Sequence, residues 1–233
     1  MLNDLISELK KFENKEKAKT LKKFFKTNAG EYGEGDIFLG ISVPQQREIA
    51  KKYSGMSLPK IQKLLDSKIH EHRLIALLIL MNKFKKADER TQGDIFNFYV
   101  KNSEKINNWD LVDISSPHIV GKFLFNKKKD ILYEFAQSNN LWKKRISVVS
   151  CCYFIKQEEY NDALRIFEIL LRDEHDLIHK AIGWMLREIG KRDEKVLLKF
   201  LKKHYKNLPR TTLRYAIEKF KQEKRKELLK EVF

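Results

Sequence analysis

Several things are scarce in this chain, and each scarcity excludes something. No apolar run is long enough to span a bilayer. The strongest, Leu74-Ile75-Ala76-Leu77-Leu78-Ile79-Leu80-Met81, falls far short of the ~20 residues a membrane helix needs. Only two cysteines occur, adjacent at Cys151 and Cys152. Helical neighbours point to different sides, so no structural disulfide is expected, and a reducing, cytoplasmic setting is. The start, Met1-Leu2-Asn3-Asp4-Leu5-Ile6-Ser7-Glu8, is amphipathic and acidic rather than a signal peptide. Prolines number four and strand-like alternation is nearly absent. Four of the nine glycines crowd into residues 28–44. That segment has neither the GxGxxG order nor a P-loop Gly-Lys-Ser/Thr, which argues against a nucleotide cradle. It reads either as a long structural turn or as a lid or backbone contact to a phosphate. His175 and His179 stand four apart without the Glu of an HExxH helix or a third ligand, so no metal site is expected. No Ser/His/Asp or Cys/His set stands out, though such sets are spatial and sequence leaves them open.

Acidic residues are also scarce relative to basic ones: 32 against 48, a formal charge of +16. Such an excess points to a polyanionic partner, nucleic acid before an anionic membrane surface. A lysine-rich genome would produce the same excess without any such partner. Apolar residues at 42% and aromatics at 11% mark a globular chain able to bury a sizeable core. Apolar positions recur at three and four nearly everywhere, as in Leu2, Leu5, Ile6 and Leu9, or Leu164, Phe167, Ile169, Leu170 and Leu171. This predicts about a dozen helices joined by short polar turns, with Pro44, Pro59 and Pro209 in first turns. The helices are iterated. Arg73, Asp110, Arg145, Lys180 and Arg214 each mark a helix of one kind, at spacings of 37, 35, 35 and 34 residues. A period in the thirties with two helices per unit predicts an α-helical solenoid, all-α, as one domain over residues 1–233. Its second helices would line a basic concave groove.

The richest segment is Asn107-Asn108-Trp109-Asp110-Leu111-Val112-Asp113. In a helix Trp109 and Asp113, four apart, share a face, and so do Trp184 and Arg187, three apart. Taken singly these are ordinary residues. A helical Trp is usually a packing anchor, Arg145 and Arg187 would pair with acids, and Asp113 reads as a cap, since Ser115, Ser116 and Pro117 follow and suggest a helix end. Their fall on adjacent units at similar depth suggests a cleft for a cationic, aromatic, phosphate-flanked substrate. A non-catalytic nucleic-acid-binding or DNA-bending module and a protein-binding scaffold stay open as alternatives.

Asn108-Trp109-Asp110-Leu111-Val112-Asp113, Trp142-Lys143-Lys144-Arg145 and Lys180-Ala181-Ile182-Gly183-Trp184-Met185-Leu186-Arg187-Glu188 resemble the DNA alkylation-repair glycosylases of the AlkD type, in order, over about residues 20–220. Phe38-Leu39-Gly40-Ile41-Ser42-Val43-Pro44 with Arg47 is similar too. The resemblance implies a HEAT-like α-helical solenoid of stacked helix pairs that acts as a monomer on duplex DNA. It implies excision of positively charged N3- and N7-alkylated purines without metal or cofactor. It places the catalytic carboxylate on Asp113, the groove tryptophans on Trp109 and Trp184, and the phosphate-contacting arginines on Arg145 and Arg187. Three departures leave open an altered lesion range or weak activity: Ser42 in place of a Gln, Asp176 and Leu177 in place of paired aromatics, and a longer Gly-rich loop.

The charge balance generates a test. Duplex binding should be sequence-independent and weaken steeply with salt, log affinity falling by ~0.9 per phosphate neutralised for each unit of log salt. The stretch from Lys191 onward, with 15 basic against 6 acidic residues, should contribute. A flat response in a fluorescence-anisotropy titration across salt concentrations would contradict it.

Overall fold

Helix starts follow the capping chemistry of the sequence. Asn14, Asp88, Asn140 and Asp193 each accept a backbone N–H of the turn they open, satisfying donors that a helix N-terminus leaves orphaned. The structure, a computed structural model, describes residues 1–232. Its helices are α1 (Leu2–Lys10), α2 (Lys15–Phe24), α3 (Val43–Lys52), α4 (Leu58–Leu65), α5 (His70–Lys86), α6 (Glu89–Lys101), α7 (Trp109–Ser116), α8 (Lys122–Leu124), α9 (Asp130–Ala136), α10 (Leu141–Lys156), α11 (Asn161–Leu170), α12 (Asp176–Gly190), α13 (Glu194–His204), α14 (Arg210–Ala216) and α15 (Gln222–Leu229). Among the described residues, β pairing is confined to one bridge, Ile37 to Ile69. Pro44 and Pro59 stand in first turns, as expected, whereas Pro209 is the N-cap of α14.

The chain divides into two compact units, Met1–Leu111 and Val112–Phe233. In the first, α5 is the buried axis. It is apolar on nearly every side, buried from His70 through Leu80, and covered by α3, α4 and α6. A helix apolar all round has nowhere to go but inside. In the second, α10 plays that part, covered by α9, α11 and α12, and α12 packs on α13 and α14. Each Leu or Ile fully buried in these axes contributes about 1.5–3 kcal/mol. The residues that marked the sequence period fall one each in α5, α7, α10, α12 and α14, within the first five residues of each helix.

One expectation fails. The helix carrying Asp113 does not end after it, so Asp113 is not a cap. It runs through Ser115 and Ser116, both fully buried, into a widened π turn, Pro117–Gly121, and on into α8. Pro117 has no N–H to give the Asp113 carbonyl and its ring would clash there. Widening the backbone by one residue lets the helix continue past it.

Gly183, inside the Ala-Ile-Gly-Trp motif, is explained by helix crossing. A Cβ there would lie 2.7 Å from the Thr212 carbonyl oxygen and 2.5 Å from the Tyr215 Cβ. Its absence lets α12 and α14 approach, and the Thr212 hydroxyl donates to the His179 carbonyl (3.1 Å) across the same seam. Gly183→Ala should destabilise by about 1–3 kcal/mol through overpacking. An unchanged melting temperature by circular dichroism would contradict this packing.

Candidate functional site

Trp109 opens α7 and is half-buried. One face is backed by rings. It stacks on Phe25 (centroids 5.2 Å apart, planes 24° apart), Phe25 stacks on Phe38 (5.2 Å), and Phe24 meets the indole edge-on at 5.8 Å. Phe24 is 60% exposed. Beneath the stack lies an arrangement that the sequence reading missed. The His70 ring, 2% exposed, lies on Phe38 (4.6 Å) and beside Phe25 (5.1 Å). Its Nε2 faces the Asp110 carboxylate at 2.8 Å and its Nδ1 faces Asp36 at 3.3 Å. Arg73 donates to Asp36 (2.6 Å) and to the Ser67 carbonyl (2.8 Å), and Asn108 reaches Asp36 at 3.5 Å. Burial disfavours the His70 imidazolium, but the charge and hydrogen bond of Asp110, joined by the bond to Asp36, outweigh it and lift the pKa to about 9. Asp36 is also penalised by burial, yet His70 and Arg73 together hold its carboxyl below the usual range.

The Gly-rich segment is tied to the same helix. The Glu71 carboxylate accepts the backbone N–H groups of Leu39 (3.0 Å), Gly40 (2.8 Å) and Ile41 (3.3 Å). Ile37 adds backbone bonds to Lys68 and His70. Asn28 and Gly30 donate to Glu31 and Glu34. These five amides, which a phosphate could otherwise use, are engaged by the chain's own carboxylates. Ser42 caps α3 together with Gln45, which fits Ser at a helix start.

In the second unit Asp113 meets Arg145 as a fork. Nε donates to one carboxylate oxygen (2.9 Å) and Nη2 to the other (2.8 Å), while Nη1 donates to the Leu177 carbonyl (2.6 Å). Arg145 is 5% exposed, whereas the Asp113 side chain keeps 16% of its surface open. The resemblance implies a phosphate contact for Arg145. Here its guanidinium is engaged inside the protein, and what it presents outward is the carboxylate it holds. Leu177 contributes its carbonyl to Arg145, and Asp176 pairs with Lys180 at 2.7 Å. On α12, Trp184 and Arg187 are both half-buried, and Arg187 pairs with the exposed carboxylate of Glu218. His175 caps α12 by accepting from Leu177 (3.1 Å), and His179 bonds the Asp173 carbonyl.

Four polar residues, His70-Glu71-His72-Arg73, head the helix that carries the long apolar run Leu74–Met81. That was the available signal, since groups buried there require partners. Apart from Ser67, which His72 and Arg73 reach locally, the partners could not be read, because they lie 30 to 40 positions away.

The Asp113–Arg145 fork yields a stability test. Breaking a buried pair typically costs ~3–5 kcal/mol, mostly by stranding the remaining charge. Arg145→Ala should therefore lower the melting temperature strongly. Arg145→Lys should recover little, because an ammonium cannot bridge both oxygens and the Leu177 carbonyl. Wild-type melting in Arg145→Lys would show that charge alone suffices.

Comparison with known proteins completes the picture. No curated protein matches this sequence. A solved structure described as a predicted DNA alkylation repair enzyme from Enterococcus faecalis superposes with a TM-score of 0.71 at 16% identity, covering 90% of this chain and 97% of that one. At that identity the likeness establishes the fold, a helical solenoid-like one. The model of the family described as DNA alkylation repair enzyme matches residues 5–220. The helical repeats, the Trp109–Asp113 helix and the Ala-Ile-Gly-Trp motif are thus those of a chain that belongs to the DNA alkylation repair enzyme family.

Proposed function

We propose that this protein is a monofunctional DNA glycosylase. In this reading it removes positively charged N3- and N7-alkylated purines from duplex DNA by hydrolysing the N-glycosidic bond. The observation that carries the reading is the Asp113 carboxylate, gripped on both oxygens by a buried arginine yet left partly open. A carboxylate so held is a preorganised negative charge, which is what stabilises a cation formed in a reaction.

Alkylation at N7 or N3 makes the purine cationic and a good leaving group. As the C1′–N bond lengthens, positive charge builds on the deoxyribose. Asp113 supplies the opposing charge and orients the water whose oxygen joins C1′; the products are the free base and an abasic site. Trp109 and Trp184 contact the sugar and lesion, with a cation–π attraction of up to ~2 kcal/mol where water is excluded. Arg187 contacts a phosphate by exchanging the exposed Glu218 for it, and Arg145 acts through Asp113. Binding through the backbone asks for no deep base pocket. The protein acts as a monomer, and the chemistry asks for no metal or cofactor. No helix of the described residues is long and apolar enough to cross a membrane.

Asp113→Asn keeps the side-chain outline and removes the charge; it also leaves the buried Arg145 without its counter-ion, so the variant should melt lower and its rate is read well below that melting temperature. Single-turnover release of N7-methylguanine from a duplex should fall by about a hundredfold, the low end for a preorganised electrostatic group, with duplex binding little changed. Equal rates in the variant would remove Asp113 from the chemistry. Absence of release by the wild-type protein would leave a DNA-binding module as the better reading.

A further inference from the structure

The groups around His70 demand a charge there. Two carboxylates face its ring, Asp110 at Nε2 and Asp36 at Nδ1. An ionised carboxylate only accepts hydrogen bonds, and a neutral imidazole has one N–H and one lone pair. Only the imidazolium can donate to both. The other groups facing the ring are Arg73 from its own helix, bonded to Asp36, Asn108 ahead of α7, and the rings of Phe25 and Phe38. The donors among them, Arg73 and Asn108, are turned to Asp36 rather than to Asp110.

What the two carboxylates are attached to gives the bridge its consequence. Asp110 is the residue next to Trp109 in the first turn of α7. Asp36 lies in the Gly-rich segment that carries Phe38, and Phe38 backs Phe25, on which the indole stacks. We propose that His70, as an imidazolium, is a positioning residue that clamps the start of α7 to the Asp36 segment and so fixes the face and tilt of the Trp109 indole. Its effect on excision rests on the glycosylase reading of Trp109; the clamp itself does not.

The sign of the pH dependence follows. The His70 pKa stands at about 9 in the fold, above the ordinary ~6.5 of an unfolded histidine. The clamp's stabilisation is therefore complete below about 6.5 and lost as pH rises through about 9. At neutral pH the clamp is closed.

The test uses the full chain. In a Trp142→Phe/Trp184→Phe protein, acrylamide quenching of Trp109 is followed from pH 6 to 10, beside the His70 Cε1–H signal by NMR. The expected result is one shared midpoint near 9, with quenching rising above it. Asp110→Asn should move that midpoint down towards the ordinary histidine value, a shift that a merely packing role would not give. His70→Gln should show high quenching at every pH. At pH 7.5 it should also lower release of N7-methylguanine about tenfold or more, as misplacement of a positioned group does. A His70 signal titrating at or below about 6.5, or Trp109 quenching that ignores it, would overturn the proposal. Neither outcome needs the DNA reaction, so a protein that releases no base still decides the clamp.

Discussion

Helices α5 and α10 are apolar on nearly every side, so folding drives their whole circumference out of water, including the polar residues of their first turns. A charge carried inside in this way must find a partner there, because leaving it bare costs several kcal/mol. His70, Arg73 and Arg145 are such charges, and their partners are Asp36, Asp110 and Asp113. Both arginines turn further N–H groups to backbone carbonyls, of Ser67 and Leu177. Two side chains of the proposed site are thereby fixed by buried groups. Asp113 is held by Arg145, and Trp109 is backed by rings resting on His70.

This constraint explains which features were legible in the sequence. The helical repeat was, because three-and-four spacing is a local property and the marked helices recur at nearly constant separation. Trp109 with Asp113, and Trp184 with Arg187, were legible as pairs for the same reason. The His70 bridge was not: its partners lie 34 and 40 positions away, and nothing local distinguishes a paired Asp36 from a solvated one. Arg145 showed its charge but not its burial, and its pairing with Asp113, 32 positions away, was not legible. Pro117 misled in another way, since a proline normally stops a helix and here a π turn carries the backbone past it. The glycine-rich loop invited a ligand, and Glu71, a carboxylate of the chain itself, fills that role.

Family membership rests on residues 5–220 and agrees with the fold, while the proposed chemistry rests on one carboxylate. Its force depends on the substrate bringing its own positive charge. A fixed carboxylate stabilises an oxocarbenium-like sugar beside any base, but only a cationic purine leaves readily without a protonating acid, and none of the groups assigned to the reaction is such an acid.

The most direct measurement compares two duplexes of one sequence, one carrying N7-methylguanine and one carrying a neutral 7-methyl-7-deazaguanine at the same position, with released base quantified by chromatography under single-turnover conditions. The account predicts release from the cationic lesion and none from its neutral isostere. Equal release from both, or release from neither, would contradict it.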